Sequence, residues 1–163
     1  MTFFFIIITI VLLPQIAAIV YFNWKSKQLI ADLQQKKHTL IEHVLVNIER
    51  QYAYNTRYLY HNIDLYIYED NVVMIFYTRF FRKFYTHSIQ FCFGESLGKL
   101  RNVSYFYDKP LLKSSSYRIE LSVFPEKWGA KKFHFDMNLG RRNLDIPEIL
   151  KRYNLPIDNT PKK

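Results

Sequence analysis

Residues 3–22 read FFFIIITIVLLPQIAAIVYF, twenty positions without a charged side chain, and no other run constrains the chain so strongly. As a helix rising about 1.5 Å per residue it would cover the roughly 30 Å hydrocarbon layer of a bilayer. Thr9, Pro14 and Gln15 are its only interruptions. A proline is tolerated in a spanning helix where neighbouring groups satisfy the freed carbonyl, so a kink is expected near Pro14. A cleaved leader would open on basic residues and close on a small-x-small site. This chain opens Met-Thr-Phe and offers only adjacent Ala17 and Ala18 in mid-run. The expectation is a retained transmembrane helix over residues 1–24, the alternative being a buried helix of a soluble protein.

Tyr21 and Trp24 fall where amphipathic rings favour the headgroup level, and Lys25 and Lys27 follow where an ammonium reaches water, so all four are expected at the membrane interface. No basic residue precedes the run, whereas Lys25, Lys27, Lys36 and Lys37 follow it. By the positive-inside rule this predicts a single-pass protein of the inner cell membrane, N-terminus outside and the remainder cytoplasmic. The formal net charge of +9 arises wholly after residue 24 and favours acidic partners, anionic lipid above all, while also serving solubility. The single Cys92 excludes an internal disulfide and fits a reducing compartment.

Residues 25–51 lack Gly and Pro and carry apolar side chains at 29, 30, 33, 40, 41, 44, 45 and 48, which predicts a juxtamembrane stalk helix. Lys36, Lys37 and Asn47 break any heptad seam. From residue 52 the period shortens. Tyr117, Ile119, Leu121 and Val123 alternate with Arg118, Glu120 and Ser122, and Phe133, Phe135, Met137 and Leu139 alternate likewise with polar neighbours, the signature of half-buried strands. Runs 63–68 and 72–78 flank Glu69-Asp70-Asn71 and predict a hairpin; further strands are expected over 87–93 and 103–107. The segment LDIPEILKRYNLP reads as a closing helix: Asp145 and Glu148 form a capping-box-like start, Lys151 and Arg152 suit its last turn, and Pro156 ends it.

The order of these elements over residues 63–155, with the alternating strands at 117–124 and 131–139 and the closing IPEILKRYN helix, resembles a bacterial pleckstrin-homology-like domain. That resemblance implies an α+β fold in which an antiparallel barrel or sandwich of six or seven strands spans residues 52–155 and is capped by the C-terminal helix. A basic tail occupies 156–163. It further implies membrane-proximal binding or scaffolding and no catalysis. Phosphoinositide-binding members place basic residues around the first hairpin; here the turn is Glu69-Asp70-Asn71, so that activity is not carried over.

Gly94-x-Ser96-x-Gly98 has the spacing of a hydrolase nucleophile elbow, with Asp108 or Asp136 and His134 following in chain order, so a membrane-tethered serine hydrolase using Ser96, His134 and Asp108 is the alternative function. Only Lys99-Leu-Arg-Asn separates the motif from the next strand-like run, which leaves no room for the helix an elbow must open. His38 and His43 are five apart and diverge by about 140° on a helix, and no phosphate-cradling glycine loop is present, so neither metal nor cofactor is expected. Arg79, Arg82, Lys83, Lys99 and Arg101 form the first candidate binding surface, Arg141 and Arg142 the second. Expected partners are the lipid bilayer, anionic headgroups and an unidentified protein, the chain itself included; nucleic acid is not expected, although Phe80, Phe81, Phe84 and Tyr85 interleave with the basic residues.

Overall fold

TLIEHVLVNIERQY, residues 39–52, is rich in β-branched side chains, and in the computed structural model it forms a strand instead of completing a stalk helix. The structure describes residues 2–52, 56–79, 83–94, 98–124, 130–140 and 142–156, with side chains for these except 2–9, 52, 130 and 131. One helix, α1 (Thr2–Gln34), leads into β1 (Thr39–Tyr52). Strands β2 (Thr56–Tyr68), β3 (Asn71–Arg79), β4 (Lys83–Cys92), β5 (Tyr105–Asp108), β6 (Leu111–Ser115), β7 (Arg118–Val123) and β8 (Ala130–Asn138) follow, and α2 (Ile146–Arg152) closes the order. The expected stalk over 25–51 is thus divided between the end of α1 and β1. The misleading signal has a physical source: a bulge shifts the β1–β2 register between Ile41 and Val44. The inward side chains are therefore Ile41, Val44, Val46 and Ile48, whose first step of three mimics a helical stripe.

Among the described residues, no helix is long and apolar enough to cross a membrane. This corrects the expected transmembrane helix over 1–24 and with it the single-pass inner-membrane placement. The helix also does not end at Tyr21, Trp24, Lys25 and Lys27. It continues to Gln34, Asn23 Oδ1 accepts the Tyr85 amide at 3.3 Å, and Ser26, Leu29 and Leu33 are buried. Upstream, Ile10, Leu13, Ile16 and Val20 are exposed.

The strands form one sheet in the order β5-β4-β3-β2-β1-β8-β7-β6. All pairs described are antiparallel except β4 with β5, which is parallel, so a mixed eight-stranded sheet replaces the expected six- or seven-stranded antiparallel barrel. The sheet curls into a half-barrel. Three strands separate β4 from β8, a gap of about 19 Å in a flat sheet at roughly 4.8 Å per strand. Yet Phe91 of β4 meets the edge of Phe135 of β8 with centroids 5.2 Å apart. The concave face gathers the main core, including Ile63, Leu65, Met74, Phe76, Leu121 and Met137, and α2 closes over it with Ile146, Ile149, Leu150 and Tyr153. On the convex face, Leu29 and Leu33 of α1 pack with Tyr66, Tyr68, Val73, Ile75 and Val103. Residues 63–68 and 71–77 are buried on both faces for this reason, which is why they read as apolar runs broken only by Asp64 and Asn71.

The predicted hairpin is present, with Glu69 and Asp70 in the turn and Glu69 at φ 46°. Asp145 caps α2 by accepting the Glu148 amide at 3.0 Å, as its spacing predicts. The parallel β4–β5 pair requires a crossover, and polar side chains fasten it to the sheet. Gln90 donates to Asn71 Oδ1 at 2.8 Å and accepts the Leu100 amide at 2.8 Å, while Ser88 and Ser104 exchange amide-to-hydroxyl bonds at 3.2 and 3.1 Å.

His87 of β4 stacks on Phe76, centroids 4.2 Å and planes 12° apart. Burial first, then the neighbouring His61 and Arg50, push its pKa down from the ordinary 6.5 to about 4. The native ring stays neutral over a range in which the unfolded chain takes up a proton, so unfolding binds protons there. This contribution to stability is complete above about pH 6.5 and is lost as the pH falls toward about 4. Urea midpoints at pH 7.5 and 4.5 should therefore differ more for the parent than for His87→Phe, which keeps the stack and cannot titrate. Equal differences in the two proteins would remove His87 as the source.

Candidate functional site

The β1 bulge that hides the strand in the sequence also builds a polar cluster. His43 sits in it at φ 56°, a left-handed conformation that is uncommon for a side chain of this size. Four hydrogen bonds hold it there. Its amide donates to Asp64 Oδ1 at 3.1 Å, and its carbonyl accepts from the Arg142 guanidinium at 2.8 Å. Nδ1 lies 2.7 Å from the Tyr77 hydroxyl, and Nε2 lies 3.4 Å from an Arg79 nitrogen. Arginine can only donate, so Nε2 is the acceptor and Nδ1 carries the proton toward Tyr77.

Beneath this, Asp64 points outward from β2 with its side chain only 3% exposed, and Lys83 from β4 answers it, Nζ lying 2.9 and 3.1 Å from the two carboxylate oxygens. Glu42 adds a second contact at 3.2 Å, and the ammonium sits 5.0 Å from the Tyr77 ring centroid. Burial alone would lower the Lys83 pKa, but Asp64 and then Glu42 outweigh it and hold the ammonium above the ordinary lysine range. Burial first and the Asp64 charge second push Tyr77 upward, so its hydroxyl stays protonated at neutral pH.

Three of the sequence-predicted binding residues, Arg79, Lys83 and Arg142, meet here. They come from β3, β4 and the loop before α2, and only the curled sheet brings them together. Lys83 is committed to carboxylates. Among the described residues no acid pairs with Arg79 or Arg142, so after Glu42 and Asp64 are counted the cluster keeps one positive charge over. Arg82 and Arg141 lie outside the described residues. Lys99 and Arg101 are exposed on the crossover before β5, where Leu100 and Val103 pack toward α1 and Asn102 donates to Gln28 at 3.1 Å. They form no described contact with the cluster. His43, Asp64 and Tyr77 escaped the sequence reading. The available signal was Asp64, a lone acid inside an apolar strand, since a buried charge requires a partner.

The residues of the hydrolase alternative fall elsewhere. Ser96 lies outside the described residues, and Asp108 is exposed at the end of β5. The His134 ring faces Ser122 Oγ at 2.9 Å through Nδ1 and Glu120 at 3.8 Å through Nε2. Ser122 and His134 are direct cross-strand partners, so this contact follows from the β7–β8 register. Gly94 has a steric reason of its own: a Cβ there would come within 1.2 Å of Asp70 Oδ2 and 2.4 Å of its Cγ. A Cβ at Gly98 would meet nothing within 4 Å. Among the described residues no group of three or more His, Cys, Asp or Glu side chains is arranged to hold a metal ion. In comparison with known proteins, no family model, no curated protein and no solved structure matches the chain.

Proposed function

We propose that the protein is a binding module that receives a phosphate-type anion at the β1 bulge and uses it to recognise or hold a partner. What supports the reading is the anchoring of two guanidiniums on His43, Arg79 at the ring Nε2 and Arg142 at the backbone carbonyl, with no described carboxylate to neutralise either. Each spends one described side-chain bond on His43 and keeps further N–H donors for a ligand. Guanidinium forks suit phosphate oxygens geometrically as well as by charge. Lys83 is held away from the ligand by Asp64, so its part is to neutralise the buried acid and keep the bulge in place.

Titration calorimetry of the full chain with inorganic pyrophosphate in low-salt buffer tests this. A charge-assisted hydrogen bond contributes about 1.5–3 kcal/mol, so Arg79→Gln and Arg142→Gln should each weaken binding roughly tenfold or more, and added salt should weaken the parent. Cosedimentation with phosphatidylcholine vesicles, with and without phosphatidylglycerol, separates a free anion from a headgroup as its source. Undiminished affinity in both variants, or no binding in either arm, overturns the proposal.

A further inference from the structure

The concave face contains a second, chemically different recess. Its volume is about 420 Å³, within the roughly 300–1,000 Å³ usual for small-molecule sites. Ile48 of β1, Ile89 of β4, and Phe133 and Phe135 of β8 form apolar walls, and Phe22 of α1 borders one side. Strand alternation accounts for the arrangement: Ile48 pairs with Phe135 across β1 and β8, and Arg50, two residues on, pairs with Phe133 on the same face.

Arg50 thus enters an apolar recess as its only described cation, and no acid is among the described lining residues. Its guanidinium carbon lies 5.6 Å from the Phe133 ring centroid, and no described carboxylate is within ion-pair distance. The opposite wall adds no charge. Thr86 donates to the Phe76 carbonyl at 3.3 Å and accepts from His87 Nδ1 at 3.1 Å, which orients a ring that burial keeps neutral. A half-buried guanidinium without a counter-ion, beside aromatic and aliphatic walls, is complementary to a molecule that is apolar over most of its length and anionic at one end. One cation matches one carboxylate, whose two oxygens fit the guanidinium fork; a dianion would require a second cation that the described lining lacks.

We infer that this recess binds a small organic acid, its carboxylate on Arg50 and its aromatic or aliphatic body against Ile89, Phe133 and Phe135. The site lies on the face opposite the β1 bulge and stands independently of the anion site there.

The test titrates the full chain at pH 7 with 4-phenylbutyrate and with its neutral amide, 4-phenylbutanamide. Saturable binding is expected, the acid roughly tenfold or more tighter than the amide. Arg50→Gln should bring the acid to the level of the amide, while Arg79→Gln should leave both unchanged. Nuclear Overhauser contacts from the phenyl protons to the Ile89 methyls locate the ligand in the parent and do not depend on any variant folding. Equal binding of acid and amide, acid affinity retained in a folded Arg50→Gln protein, contacts elsewhere than Ile89, or no saturable binding would each overturn the inference.

Discussion

Asp64→Ala is expected to lower the unfolding free energy by about 3 kcal/mol or more, the cost typical of stranding one member of a buried ion pair. The carboxylate is 3% exposed and is met by Lys83 at 2.9 Å and by the His43 amide at 3.1 Å. With it gone, Lys83 keeps only Glu42, whose side chain is 54% exposed, and the strained His43 loses the acceptor for its amide. Asp64→Asn retains an acceptor without the charge and should fall between parent and alanine. Adding Lys83→Met to Asp64→Ala should recover part of the loss, because the uncompensated ammonium is removed. Urea unfolding of the four proteins measures this; a change below about 1 kcal/mol for Asp64→Ala would show that the pair is not the keystone of the bulge.

Phe91→Ala should cost about 3–5 kcal/mol, through lost burial together with the cavity left behind. Phe91 is wholly buried, meets Phe135 across the mouth of the curl at 5.2 Å, and stacks on Tyr107 at 5.8 Å. The substitution therefore probes the curvature itself, since in a flat sheet these rings would stand several strands apart. Phe124, 60% exposed, provides the contrast: Phe124→Ala should stay within about 0.5 kcal/mol of the parent. Similar losses at both positions would argue against a core enclosed by β4 and β8.

The parts of the fold legible in the sequence are those whose burial is one-sided and locally periodic. β7 and β8 show clean alternation because one face meets the concave core and the other carries Glu120, Ser122, His134 and Asp136. α2 was readable from its cap and its apolar spacing. β1 was not, because one extra residue at the bulge replaced a step of two with a step of three. The parallel pairing of β5 left no local mark, since its partner is chosen by a crossover that buried Gln90 and Ser88 hold in place. In the candidate site the basic residues Arg79, Lys83 and Arg142 were visible as types, but nothing local indicated that they share one neighbourhood.

Taken alone, the order of amino acids determined which segments alternate, where turns fall, how α2 begins and that positive charge accumulates after residue 24. Those properties are set by neighbours within a few positions, through backbone geometry and the choice between water and an apolar surface. The curl, the pairing of Asp64 with Lys83, the meeting of Arg79 and Arg142 on His43 and the recess around Arg50 were decided only by the folded chain. Each joins residues distant in sequence, and a contact of that kind exists only once the strands between them have paired, twisted and closed a core.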